Sequence, residues 1–259
     1  MIKSLIKPML RILISGVVSG KINTYTDVTY TELSGNATIT GCVGACPAVV
    51  RIPPTIDGFT VTAIADLAFY NKGITGLTLP NSIIDIGAAA FKDNALTSVA
   101  LPLSIIIIQS LAFGNNALTG IDIPTGATTV EASAFRDNAL TIAIIPNSVT
   151  VVGSNAFKNN LLTSVVIPDS VTSIGAFGDN LLTSIIIPDS VVNITGGAFR
   201  DNFLTSVTIP ANVNTVDNNS FKNNTLVSVE FLGDRPTVAT TAFDDNSITT
   251  ITYITGKTG

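Results

Sequence analysis

The sequence predicts a β-rich solenoid of about nine 22-residue coils, and three regularities predict it. Phe recurs at 69, 91, 113, 135, 157, 177, 199, 221 and 243, every interval being 22 residues except the 20 between Phe157 and Phe177. Pro keeps the same beat at 80, 102, 124, 146, 168, 188 and 210, again with one 20-residue step. Between these markers each repeat holds two short strand-like segments, punctuated by Pro and Gly and too short for an ordinary helix.

Taken from the N-terminus, residues 1–20 interleave Lys3, Lys7 and Arg11 with Ile2, Leu5, Ile6, Met9, Leu10 and Ile12 through Ile14. Two readings stand: a secretion signal, or an ordinary terminus, because Pro8 and Arg11 interrupt the apolar run. No stretch of about 18 apolar residues occurs that would predict a membrane span. Residues 21–59 read as an N-terminal β cap. Thr24, Tyr25, Thr26, Val28, Tyr30 and Leu33 mix β-branched and aromatic types, and Ser34-Gly35-Asn36 reads as a turn. A hairpin there would cover the open end of the first coil, as repeat arrays require. Cys42 and Cys46 enclose Val43-Gly44-Ala45. They are a disulfide candidate in an oxidising compartment or two partly buried thiols; with no His in the chain they cannot fill a four-ligand zinc site.

Residues 60–259 form the array. Its first strand is of the type Leu96-Thr97-Ser98-Val99-Ala100-Leu101, with Pro102 where no ladder donor is needed. Its second is of the type Val171-Thr172-Ser173-Ile174. Leu96, Val99 and Leu101, with Leu162, Val165 and Ile167, then Leu182, Ile185 and Ile187, and Leu204, Val207 and Ile209, read as inward columns shared by stacked coils. The Phe residues stack inside. Asn follows three residues after Phe at 94, 116, 138, 160, 180, 202, 224 and 246, with Lys72 in the first coil. Asn94, Asn116, Asn138, Asn160, Asn180, Asn202, Asn224 and Asn246 are expected to bond backbone groups of the next coil, because a buried turn needs partners. After Phe243, Ile248 through Ile254 repeats a first strand. Its edge, with Ile248, Ile251 and Tyr253, reads either as a fraying end or as a pairing edge for a homo-oligomer or head-to-tail filament.

These residues resemble the BspA-like branch of the leucine-rich repeats, whose units run LTSVxIPxSVxxIGxxAFxxN. Nearly all of residues 48–255 match, and the motif is specific because Leu, Pro, Ile, Gly, Ala-Phe and Asn recur together. The two-residue deletion before Phe177 and the missing Asn at 72 are the departures. The resemblance implies a right-handed leucine-rich-repeat superhelix with a parallel sheet on its concave side. It also implies a bacterial cell-surface or secreted, extracellular protein, linked to adhesion and without catalytic residues.

Composition bears on function independently. The chain has no His and a formal net charge of −5, and only 12% of its residues are charged. Without His, the commonest general base and nucleophile pairings are missing, so no catalytic site is nominated and no cofactor or metal is expected. A sequence pI near 4.6 argues against nucleic acid as a partner. Gly256-Lys257-Thr258 imitates a phosphate-loop ending, but Ile251 stands where the leading Gly belongs. Asp-Asn pairs such as Asp179-Asn180 lack the carboxylate density of a calcium-binding repeat.

The informative surface is the outward side of the first strand, where a Thr column including Thr141, Thr163 and Thr183 borders an apolar stripe of Ile142, Ile144, Val166 and Ile186. One reading is a ligand-binding patch for a protein or glycan on another cell or matrix. The other is β-propensity alone, since branched side chains suit strands whatever they touch. A second spot, Ile106-Ile107, has no neighbour that extends it in the sequence reading.

Overall fold

Two lines of short parallel strands tie neighbouring coils together, one line for each strand-like segment of the repeat. The computed structural model describes residues 28–254 and, among them, contains strands and turns but no helix. The secretion-signal reading of residues 1–20, and residues 21–27 of the expected cap, lie outside the described residues.

The chain enters through an antiparallel hairpin of β1 (Val28–Leu33) and β2 (Asn36–Cys42), closed by Ser34 and Gly35 at φ 53° and 83°. Positive φ at both turn residues gives the mirror-image turn whose twist suits paired strands. β3 (Val49–Arg51) is followed by β4 (Thr55–Ile56) and β5 (Phe59–Ile64), a second hairpin turned by Asp57-Gly58 at φ 49° and 88°. β2 pairs in parallel with β5, so the cap adds directly to the second-strand line. Tyr30 Oη donates to Asp57 Oδ2 at 2.6 Å and locks the two hairpins together. β3 pairs in parallel with β6 (Gly76–Thr78), so coil stacking begins at Val49, ahead of residue 60.

The second-strand line continues from β5 through Asp85–Ile86, Ile107–Ile108, Thr129–Val130 and Val151–Val152. It then breaks and resumes as Ser173–Ile174, Asn193–Ile194, Thr215–Val216 and Thr237–Val238. The break falls in the shortened coil between Phe157 and Phe177, which lacks the turn that precedes Phe in the full-length coils. The first-strand line is parallel, as expected, and interrupted. It forms three pieces: β3 with β6, Gly120–Asp122 with Ile142–Ile144, and Ser206–Ile209 with Ser228–Phe231 and Thr250–Tyr253. The coils around Val99, Val165 and Ile185 carry no first strand. Val99, Val165 and Ile185 are only half-buried, whereas their counterparts Ile121, Ala143, Val207 and Val229 in the paired strands are buried. Nothing in the residue types separates Leu162–Ile167, which is unpaired, from Leu204–Ile209, which forms a strand.

Inside, Phe69 through Phe243 form one stack with ring centroids 5.2–6.1 Å apart and planes within 18° of parallel. Leu96, Leu118, Leu140, Leu162, Leu182, Leu204 and Leu226 line a second fully buried column. The side chain of each ladder Asn binds backward, to the preceding coil and its own turn, while backbone amides such as Asn160 N donate to the next coil. Asn160 Nδ2 donates to Phe135 O and Phe157 O, both at 3.0 Å, and its Oδ1 accepts from Leu140 N at 3.0 Å. Asn94, Asn116, Asn138, Asn180, Asn202, Asn224 and Asn246 repeat this pattern.

A further column escaped the sequence reading. The residue two after each Phe is Asn or Asp in every coil, and all nine, from Asn71 to Asp245, lie at φ between 51° and 59°. Short amides and carboxylates tolerate this left-handed region best after Gly. Gly153 answers a different need: a Cβ there would stand 2.5 Å from Ala132 N of the preceding coil.

Replacing Asn160 by Ala should lower the unfolding free energy by about 3 kcal/mol, because it leaves buried backbone groups without partners. Urea denaturation followed by circular dichroism checks this; a loss under about 1 kcal/mol would show that the turn does not depend on the ladder. The cap gives a pH signature. The hydrogen bond to Asp57, with partial burial and the Asp57 charge, pushes the Tyr30 phenol from 10.0 up to about 12. The folded cap therefore holds the proton longer than the unfolded chain, so this contribution is complete below pH 10 and lost as pH rises to about 12. The urea midpoint of the wild type should fall more steeply across that window than that of Tyr30→Phe; parallel slopes would contradict it.

Candidate functional site

Alternation along the first strand turns one residue in and the next out, so the repeat freely varies two outward columns. In one column Ile142 stands opposite Gly120; in the other Ile144 stands opposite Asp122. The same register carries the second column on to Val166, Ile186 and Thr208, and Thr208 pairs with Glu230. The sequence-derived stripe is exposed in the structure. Ile142 and Ile144 are 55% and 52% exposed, while Val166 and Ile186 reach 80% and 84%. The two most exposed members lie in the segments without a strand. Among the described residues, Ser164–Ile167 and Ser184–Ile187 make no backbone hydrogen bond to a neighbouring coil. Thr141, Thr163 and Thr183 flank the stripe and are exposed, and Thr141 Oγ1 turns back to donate to Thr119 O at 3.2 Å.

The stripe is bounded by charge. Asp122 is exposed at one end and Glu230 half-buried at the other, accepting from Thr208 Oγ1 at 3.2 Å. Between them the outward positions are Thr, Ser, Ile and Val only. Such a face can exclude water from an apolar partner and offer hydroxyls at its rim; it holds no pair of groups for proton transfer. Among the described residues, no three His, Cys, Asp or Glu side chains stand close enough to hold a metal ion. No helix there is long and apolar enough to cross a membrane.

Elsewhere the structure changes one detail of the sequence reading and adds two features. Ile106-Ile107 is not isolated: Ile86 pairs with Ile108, which sets exposed Ile84 opposite exposed Ile106. Charged side chains after Phe are ion-paired along one ridge. Lys92 and Asp93 approach to 3.1 Å and Arg200 and Asp201 to 2.6 Å, and Asn115 Nδ2 donates to Asp93 Oδ1 at 2.8 Å. Partial burial works to raise the Asp93 carboxyl, but the bonds from Asn115 and Lys92 outweigh it and hold the group low. Beside this ridge, exposed Leu181 and Phe203 border a shallow groove of about 420 Å³ with Asp179 and Asp201. Its signal was present in the sequence: Leu161, Leu181 and Phe203 stand where earlier coils have Ala95, Ala117 and Ala139.

Cys42 and Cys46 are joined in a disulfide at the end of β2. At the far end the Thr250–Tyr253 strand pairs on one side with Ser228–Phe231 and on the other with nothing among the described residues. Ile251 and Tyr253 are exposed and Ile248 is packed against the core. Tyr253 stacks on Phe231 at 5.0 Å, and the Arg235 guanidinium lies 5.0 Å over its ring. Phe231, Val238, Phe243, Ile248, Ile251 and Tyr253 border a cavity of about 260 Å³ there.

Comparison with known proteins agrees with this geometry. The family model described as BspA type leucine-rich repeat region matches residues 62–176 and 174–258, in six copies. Among solved structures, a leucine-rich repeat protein from Bacteroides ovatus superimposes with a TM-score of 0.64 at 19% identity, over 90% of this chain and 76% of that one. A leucine-rich cell surface protein from Faecalibacterium prausnitzii gives 0.59 at 21% identity, over 90% and 77%. No curated protein matches the chain.

Proposed function

The chain belongs to the BspA-type leucine-rich repeat proteins, and from that premise we propose that it is a non-enzymatic adhesion module at a bacterial cell surface. It holds a protein of another cell or matrix through the first-strand face. One observation carries this reading: Ile144, Val166 and Ile186 form an exposed apolar stripe across three coils of a polar surface. Exposed contiguous apolar surface marks interaction sites, and leucine-rich repeats in general serve protein interactions. An apolar stripe favours a protein over a glycan as the partner, because a glycan offers mainly hydroxyls. Location outside the cell is supported by the Cys42–Cys46 disulfide, which persists in oxidising compartments, and by the likeness to a protein described as a leucine-rich cell surface protein.

The triple variant Ile144→Asp, Val166→Asp and Ile186→Asp should stay folded, since all three side chains point outward, and should lose at least about 90% of the protein captured from matrix and cell-surface extracts. Capture equal to the wild type would reject the face.

A second reading rests on a separate observation: among the described residues, the outer edge of the Thr250–Tyr253 strand has no pairing partner, and Ile251 beside it is exposed. In this reading the protein is a structural unit that self-associates through Ile248, Ile251 and Tyr253. Placing Lys at 251 and Pro at 252 should then abolish concentration-dependent growth in light scattering; a wild type that stays monomeric at every concentration would end it.

A further inference from the structure

The bounded stripe has a length and a charge pattern that select a shape of partner. We infer that the first-strand face receives an amphipathic α-helix laid along the solenoid axis, with an apolar row at its centre and a basic residue near each end. This rests on the binding-face reading above and adds the partner's chemistry to it.

Spacing is the first argument. From Asp122 through Ile144, Val166, Ile186 and Thr208 to Glu230 the column takes five coil steps. In those coils the centroids of the stacked Phe rings stand 5.2–6.1 Å apart, widest between Phe177 and Phe199, while the laddered end steps, Asp122 to Ile144 and Thr208 to Glu230, keep the spacing of paired strands. Ser164–Ile167 and Ser184–Ile187 make no ladder that would draw the coils to the ~4.8 Å of paired strands. An α-helix rises about 5.4 Å per turn, so one turn can face one coil. An extended chain repeats its same-face side chains every ~6.6–6.8 Å and loses register with the stripe within a few residues. Helix residues at i, i+4 and i+7 then meet Ile144, Val166 and Ile186, the helix-in-groove mode of recognition.

Charge is the second. Asp122 and Glu230 are the acidic groups on this column, one coil before the apolar row and two coils after it. No basic side chain occupies the outward positions from Thr119 to Glu230, so nothing in the face itself neutralises them. Five helical turns span about 27 Å, or about 18 residues, which sets the distance between the two basic residues of the partner.

Three synthetic peptides of about 18 residues test this: a Leu-row helix with Lys at both ends, the same helix with Glu at both ends, and the Lys form with a central Pro. Fluorescence anisotropy should show the Lys-ended helix binding at least about tenfold tighter than the Glu-ended one, and the Pro peptide losing most of its affinity. In the variant Asp122→Asn with Glu230→Gln, the Lys- and Glu-ended helices should come within about twofold of each other. Equal binding of the two helices to the wild type, selectivity unchanged in that variant, or full binding by the Pro peptide would each overturn the helix. If none of the peptides binds while the Ile144, Val166 and Ile186 triple variant still loses protein capture, the helix inference fails and the binding face stands. If the triple variant captures as the wild type does, both fall.

Discussion

Everything in this molecule depends on pairing the backbone of a turn that the coil stack buries. Each coil closes around its Phe, and the carbonyls there point into a region from which water is excluded. An unpaired amide or carbonyl in such a place costs free energy comparable to several ordinary contacts. The Asn three residues after Phe meets that demand with one side chain: its amide donates to two Phe carbonyls in successive coils and its oxygen accepts an amide from the coil before. The side chain therefore fixes the stacking register as well as the turn. Where the first-strand ladder fails, as around Val166 and Ile186, Asn160, Asn180 and Asn202 still hold the coils in line. The Phe stack and the Leu column can then pack, since their rings and methyl groups only need neighbours at the same height. Register comes from polar groups and cohesion from apolar ones.

The parts of the fold legible in the sequence were those set by local residue type repeated at a fixed interval. The 22-residue beat, the inward Leu and Phe columns and the hairpin turn at Ser34-Gly35 all follow from side chains that have one physical use at their positions. The Asn column was legible as a column, yet not in direction, because the same side chain reaches either neighbouring coil until the turn geometry is known. The left-handed column from Asn71 to Asp245 was written just as plainly, as Asn or Asp without exception. It was obscured by adjacent Lys and Arg, which made the pairs look like ordinary solvated charges. The breaks in the strand lines were not legible. Whether a segment of four residues forms a ladder is not set by its residue types, since Val165 and Val207 sit in nearly identical local sequences. The shortened coil was visible as a deletion, but its effect on the second-strand line needed the turn it removes.

The stripe itself was readable because outward positions are free of packing duties, so their composition reports something other than the fold. Its boundaries were readable in principle, yet Asp122 and Glu230 gain meaning only with the register that lines them up with Ile144 and Thr208. A repeat array separates these two kinds of information unusually well. Inward columns are nearly constant from coil to coil, and so carry little that distinguishes one region from another. The outward column through Asp122, Ile144, Val166, Ile186, Thr208 and Glu230 does change along the array, and so can write a pattern along the axis whose pitch is set by the coils.

That separation suits the proposed binding role. Catalysis needs a few groups held at fixed angles to one reacting atom. Recognition of an elongated partner needs the reverse: many weakly contributing contacts at a regular interval, with charge placed at the ends to fix registration and direction of approach. The first-strand face between Asp122 and Glu230 has this form. Its most exposed apolar side chains, Val166 and Ile186, stand where the ladder is open. Ile144, in a paired strand, is 52% exposed, whereas Val166 and Ile186, outside any strand, are 80% and 84% exposed. The opening thus costs a few backbone hydrogen bonds in the array and places more apolar area in reach of a partner than a continuous sheet would.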